Sequence, residues 1–400
     1  MNDVFDPLDR LLSPARLNGL PLRNRILKAA TFEGMAPEGI PTPGLIEFHR
    51  KIAAGGTALT TLAYCAPEPD GRLRENYLYM HEGVRSGLTE LADAVHSAGS
   101  KLSGQIAHCG GLSRNRALQR KRPVSASSYF NQLGALSGLL FTGAMSMQEM
   151  DEVTTAYGDT ALFMKSVGFD AIELHFGHGY LLSQFINPRT NQRSDEFGGA
   201  VANRMRFPLR ILHSVRDRVG NDFPLLAKIT MVDDMPGGIV IEDSIEVCQL
   251  LESNGIDAIV LSGGSSSHNP MLMFRGESII NGLIEQEQNP LIRLGMKLVG
   301  PRLFRSYPYR ELYFLDEARR IRDAVRCPLV YIGGCTTVES FEKVMQEGFD
   351  FVQLGRPLIR DPGLPIHLQA QRERYVNGCT HCNRCAGRIE HPEGVLCTET

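Results

Sequence analysis

Eight short, nearly uninterrupted apolar runs, each followed by a stretch with helical spacing, constrain the fold of this chain more than any other feature. They are "RILKAAT" (25–31), "ALTTLAY" (58–64), "KLSGQIA" (101–107), "FDAIELH" (169–175), "PLLAKIT" (224–230), "IDAIVLS" (256–262), "PLVYIGG" (328–334) and "FDFVQLG" (349–355). Runs of this kind suit strands covered by helices rather than strands half exposed to water. Between them, "LTELADAVHSAG" (88–99) carries apolar residues at helical spacing and ends in glycine, as helices commonly do. The stretch from Ser146 to Gly168 opens with Ser146 and Glu149 in capping-box spacing. "IEDSIEVCQLLESNG" and "TVESFEKVMQEG" stop at Gly255 and Gly348 in the same way. Eight strand–helix alternations predict an α/β chain folded as a parallel (β/α)8 TIM barrel. A doubly wound sheet is the alternative, but it seldom needs eight units.

Two connections are too long for plain loops: one after the third strand (110–145) and one after the sixth (263–327). Excursions of this length in a compact domain usually serve as lids or binding elements. The net charge of −3 argues against nucleic acid as a partner, because phosphate binding needs a basic surplus. The first twelve residues carry acids where a signal peptide has lysine or arginine. The most apolar stretch, Leu133 to Met145, is too short and glycine-rich to span a bilayer. A cytoplasmic chain acting on a small molecule, with no membrane partner, is therefore expected; a homo-oligomer stays open.

The run at 169–175 is followed by "FGHGY", which places His175, His178 and Tyr180 at the C-terminal end of a predicted barrel strand. That end is where barrel enzymes carry their chemistry. Two histidines and a tyrosine there point to function more than to core packing. His-x-x-His with no clear third ligand is a weak metal signal.

The stretch "ELHFGHGYLLSQFINPRTNQRSDEFGG" and the later "ANRMRF" resemble the signature of the old yellow enzyme family of FMN-dependent ene-reductases and NADH:flavin oxidoreductases. The likeness runs from "LPLRNRILKAATFEGMA" (20–36) to "FVQLGRPLIRDP" (351–362). It implies an FMN-binding barrel over residues 1–370 and a Cys-rich tail, 371–400, packed on it. It also implies NADH or NADPH as co-substrate and reduction of an activated alkene. His175 and His178 would hydrogen-bond the substrate carbonyl, and Tyr180 would protonate the carbon alpha to it; paired donors suit a developing enolate and a phenol is a competent weak acid. "TNQRSDEFGG" is expected to be architectural, with Asp195 and Glu196 fixing a loop.

The resemblance also assigns a flavin bed. Gln105 would read the pyrimidine edge, although alone it could be a solvated strand-end residue. Lys228 is a cation inside an apolar strand and needs an anionic partner, either the reduced flavin or an ordinary buried ion pair. Gly333, Gly334, Gly355 and Arg356 close the seventh and eighth strands, where barrels commonly hold phosphate. Ala30 would offer a backbone N–H, and Tyr64 would border the ring. Three departures stand out: Phe32 where relatives carry threonine or cysteine, Gly111 in place of an arginine, and Tyr64–Cys65 where relatives are smaller, as in amine dehydrogenases. The absence of tryptophan ranks amine oxidation low.

Cys65, Cys109, Cys248, Cys327 and Cys335 are expected to be reduced apolar fillers. Cys379, Cys382, Cys385 and Cys397 have C-x2-C-x2-C-x11-C spacing, which suits a [4Fe–4S] cluster or zinc as well as free thiols. An iron–sulfur flavoprotein fed by a partner protein, and a non-redox phosphate-binding isomerase or aldolase barrel, stand as alternative functions.

Overall fold

The computed structural model describes residues 6–287, 289–303 and 305–399. Each of the eight apolar runs forms a strand: β1 Ile26–Lys28, β2 Leu59–Cys65, β3 Lys101–Ile106, β4 Ala171–His175, β5 Leu225–Thr230, β6 Ala258–Ser262, β7 Leu329–Tyr331 and β8 Phe351–Leu354. All neighbours are parallel, and β8 pairs with β1, so the sheet closes into a barrel in chain order. Outside it lie α1 Pro43–Ala54, α2 Arg85–Ser97, α3 Met147–Ser166, α4 Arg206–Val219, α5 Ile241–Ser253, α6 Leu315–Ala324, α7 Val338–Gln346 and α8 Leu364–Gln371. The capping box at Ser146 and Glu149 starts α3 as the spacing predicts, and Gly168 beyond its end takes a φ of 97°, which only glycine adopts without strain.

The core has two parts. The larger lies between strands and helices, with Leu62, Ile172, Leu174 and Ile229 against residues such as Leu91, Tyr157 and Leu251. The smaller fills the interior at the strands' N-terminal ends with Leu27, Leu59, Leu226, Val260, Val330 and Phe351, and Leu17 and Leu22 of an antiparallel ribbon plug that end. Burying each such side chain contributes roughly 1.5–3 kcal/mol. With the N-terminal end filled, a cavity opens at the mouth formed by the strands' C-terminal ends.

Both long excursions arrive at that mouth. The first is pinned by Arg193, whose guanidinium donates to the carbonyls of Ala126 (3.1 Å) and Met145 (2.9 Å) while holding Asp195. Glu196 pairs with Arg206 at 2.9 Å, so the acidic stretch after the histidines fastens loops. The second differs from a simple lid loop: it contains helices Ile280–Gln286 and Pro290–Leu303 and ends in α6. Within those helices the backbone hydrogen bonds are made internally. No helix among the described residues is long and apolar enough to cross a membrane.

The nine cysteines are free thiols. Of the five scattered ones, four are buried and Cys327 is half-buried.

Candidate active site

Side-chain parity along the strands decides what the mouth contains. Residues two apart face the same side, so Glu173 and His175 of β4 both point into the barrel. Register places Gln105 beside Glu173 and Lys228 beside His175. Lys228 sits 2.8 Å from Glu173 Oε1, and Gln105 Nε2 donates to the same oxygen at 2.7 Å. From β8, Gln353 Nε2 donates to Glu173 Oε2 at 2.9 Å. All four side chains are buried, so one carboxylate joins β3, β4, β5 and β8. Lys228 thus has a protein anion of its own, the ordinary buried ion pair, and Glu173 is the partner that sequence reasoning quoted without giving it a role. The signal was available: Glu173 lies two residues before His175, on the same face.

Beyond β4 the chain folds sharply. His178 and Gly179 have φ values of 58° and 80°, and a Cβ at Gly177 would lie 3.0 Å from the backbone of Ile229 and Thr230. The tight turn sets the His175 ring 4.9 Å from His178 and 4.7 Å from Tyr180, centroid to centroid. His178 is fixed by its backbone N–H to Thr230 Oγ1 (2.8 Å) and its Nε2 to Ser262 Oγ (2.8 Å). His175 Nδ1 is buried without a hydrogen-bond partner among the described residues. The three residues named from sequence are therefore brought together by the structure.

Burial keeps both imidazoles neutral. It lowers His175 far below the usual histidine range, with His178 and Lys228 adding to the effect, and lowers His178 to about 3, with Lys228 adding. Burial also pushes the Tyr180 phenol up, so it holds its proton at neutral pH. Because the folded pKa values of both histidines lie below the unfolded value, the unfolded chain binds more protons between about pH 6.5 and 3. Stability is accordingly full above about pH 6.5 and falls as the pH drops through that window. Replacing both histidines with asparagine is expected to flatten the acid limb of a urea-midpoint-against-pH curve by about two protons' worth of slope; an unchanged slope would contradict their burial as neutral rings.

These residues line a cavity of about 480 Å³. Ala30, Tyr64, Gln105, Lys228, Gly333, Gly334, Gly355 and Arg356 line it too. Tyr64 stands edge-on to Tyr180 at 5.3 Å, and its oxygen accepts the Leu73 N–H at 2.6 Å, so it belongs to the wall beside Tyr180. Gly333 and Gly334 have φ values of 129° and 79°, and a Cβ on Gly333 would lie 2.7 Å from the Phe314 ring. Arg356 donates to the Arg275 carbonyl (2.9 Å) and to Asn383 Oδ1 (2.6 Å), which brings the tail to this end of the cavity. Phe32 lines the wall and packs on Tyr77, ring centroids 4.4 Å apart.

An FMN fits the donor set. One end offers bare glycine backbone and a guanidinium; the other offers an amide, an ammonium and a buried Gln353 Oε1 that has no partner among the described residues. The cysteine expectation fares differently. Burial raises the Cys385 thiol to about 12; Arg356 opposes this, and Cys379 and Cys382 add to it. Yet among the described residues no group of three or more His, Cys, Asp or Glu side chains is placed to hold a metal ion. The spacing of Cys379, Cys382, Cys385 and Cys397 counts residues along the chain, whereas a ligand shell needs sulfurs converging on one point.

Residues 10–272 match the model of the NADH:flavin oxidoreductase / NADH oxidase family. The chain is 42% identical over 385 residues to the 4,4'-dithiodibutanoate disulfide reductase of Rhodococcus erythropolis, covering 96% of this chain and 94% of that one. It is 30% identical over 395 residues to the NADH oxidase of Thermoanaerobacter brockii, of which it spans 55%. Among solved structures, morphinone reductase in complex with tetrahydroNAD matches with a TM-score of 0.69 over 90% of each chain at 19% identity. A 2-naphthoyl-CoA reductase matches with a TM-score of 0.80 at 23% identity, covering 97% of this chain and 56% of that one. The two structures support the barrel fold. This chain belongs to the NADH:flavin oxidoreductase / NADH oxidase family.

Proposed function

We propose that this family member, an FMN-dependent NAD(P)H:flavin oxidoreductase, is a cytoplasmic enzyme that reduces an activated C=C bond conjugated to a carbonyl. The observation that carries the reading is the convergence of two neutral histidines and a protonated tyrosine on one cavity, beside an amide and an ammonium group. Gln105 and Lys228 would hold the polar edge of the flavin, with the Ala30 N–H and Tyr64 bordering its ring. Gly333, Gly334, Gly355 and Arg356 would hold its phosphate. We assign residues 1–370 to this barrel and 371–400 to a tail that covers its phosphate end. Bound FMN supplies hydride transfer between a nicotinamide and the substrate.

The protein's own groups handle the oxygen and the proton. Neutral imidazole donors stabilise negative charge growing on a substrate carbonyl oxygen, and they add no cation that would trap the enolate. Tyr180 holds a proton that burial keeps in place, and it delivers that proton to the carbon alpha to the carbonyl. Tyr64, Tyr77 and Phe32 form an aromatic wall that excludes water from that transfer.

A second reading, reduction of a disulfide, is favoured by the Rhodococcus relative, whose name assigns it that reaction and whose length this chain nearly matches. There the leaving thiolate needs far less help from an acid than an enolate carbon does. Denatured protein is expected to release about one FMN per chain, and anaerobic NADH is expected to bleach the holoenzyme. An enone then restores the colour under the first reading and an aliphatic disulfide under the second. A colourless chain that cannot be reconstituted with FMN would overturn both.

A further inference from the structure

The wall that runs from Tyr180 to Tyr64 (5.3 Å) and on to Tyr77 (6.2 Å) ends at a charge arrangement the redox chemistry does not use. Arg74, in the loop after β2, contacts Glu390 Oε1 through Nη2, and Arg114, in the loop after β3, lies 3.9 Å from the same oxygen. Arg114 and Glu390 both line the cavity, and the three side chains are roughly one-third to one-half exposed. Two guanidinium groups thus share one carboxylate. Burial lowers the Arg114 pKa first, the Arg74 charge lowers it further, and Glu390 opposes both. The Nε atoms of Arg74 and Arg114 are buried without partners among the described residues. A guanidinium recognises a carboxylate best with two parallel N–H groups, and here each fork is only partly used.

We infer that Arg74 and Arg114 form a recognition subsite for a carboxylate on the substrate, with Glu390 as the internal carboxylate that the substrate exchanges for. This rests on the alkene-reduction reading of the same cavity and deepens it: the substrate carries its reducible bond beside His175, His178 and Tyr180 and an anionic end beside the arginines. Two cations facing one anion leave a net attraction for a second anion, in a cleft whose apolar walls strengthen it. Glu390 sits on the tail, so its exchange moves no barrel strand.

The test uses the holoenzyme with a matched pair of substrates, 9-oxo-7-decenoate and its methyl ester, whose methylene chain separates the enone from the carboxylate, and calorimetric binding of 4-oxopentanoate, which cannot be reduced. Arg114→Leu and Arg74→Leu are each expected to raise KM for the acid about ten- to hundredfold and to leave the ester unchanged. Arg114→Lys, which keeps the charge and loses the fork, should fall between. Glu390→Gln should tighten 4-oxopentanoate binding about fivefold by removing the competing anion. Equal effects on acid and ester would overturn the subsite. So would an effect confined to KM for NADPH relative to NADH, which would give the arginines to a dinucleotide phosphate. If neither substrate is reduced while 4-oxopentanoate still binds in an arginine-dependent way, the subsite stands and the alkene-reduction reading falls.

Discussion

Tyr180→Phe is expected to slow the reaction of reduced enzyme with an enone by about 10²- to 10⁴-fold while leaving reduction by NADH nearly unchanged. The substitution removes one oxygen and keeps the ring that packs against His175 and Tyr64. The loss then reports proton delivery, since the phenol is the group in this cluster that burial keeps protonated. Stopped-flow measurement of the two half-reactions separates the outcomes. Equal slowing of both would remove Tyr180 as the acid. Loss of enone reduction with full retention of disulfide reduction would also tell which substrate class depends on it.

Lys228→Ala is expected to destabilise the apoprotein by about 3–5 kcal/mol, because Glu173 is left as a buried carboxylate with only amide partners. The double variant Glu173→Gln with Lys228→Met removes both charges and should recover most of that stability. Both variants are expected to bind FMN at least about tenfold more weakly, a loss of roughly 1.4 kcal/mol, if the ammonium also serves the flavin. Urea unfolding of the apoprotein and fluorescence titration with FMN measure the two effects separately. A stable double variant with undiminished FMN affinity would confine Lys228 to an architectural role. A Lys228→Ala chain as stable as the parent would show that the pair contributes nothing the strands need.

The eight strands were legible because each is a short apolar run closed by a helix that caps and stops where its residues demand, as Ser146 and Gly168 do around α3. The cluster of His175, His178 and Tyr180 was legible for a related reason. Its residues are adjacent in sequence, and a strand end followed by two glycines can turn them all one way. Arg193 and Asp195 likewise act within a few residues of each other, in the stretch that the resemblance marked as architectural.

Contacts across the barrel were a different matter. Glu173 takes Gln105 and Gln353 as partners, 68 and 180 positions away. Sequence spacing says that a buried lysine needs an anion, but only strand register chooses Glu173 for Lys228. The cysteine tail is another such case: its spacing allows a cluster, zinc or free thiols alike, and what the fold adds is that Asn383, between Cys382 and Cys385, binds Arg356 and the Phe274 carbonyl. Local hydrophobic period and backbone freedom are properties of adjacent residues, so the chain alone determines the barrel and its histidine turn. Which charges neutralise one another, and which arginines reach the mouth, depend on three-dimensional closure, because desolvated charges take whatever partner the packed strands and loops bring near.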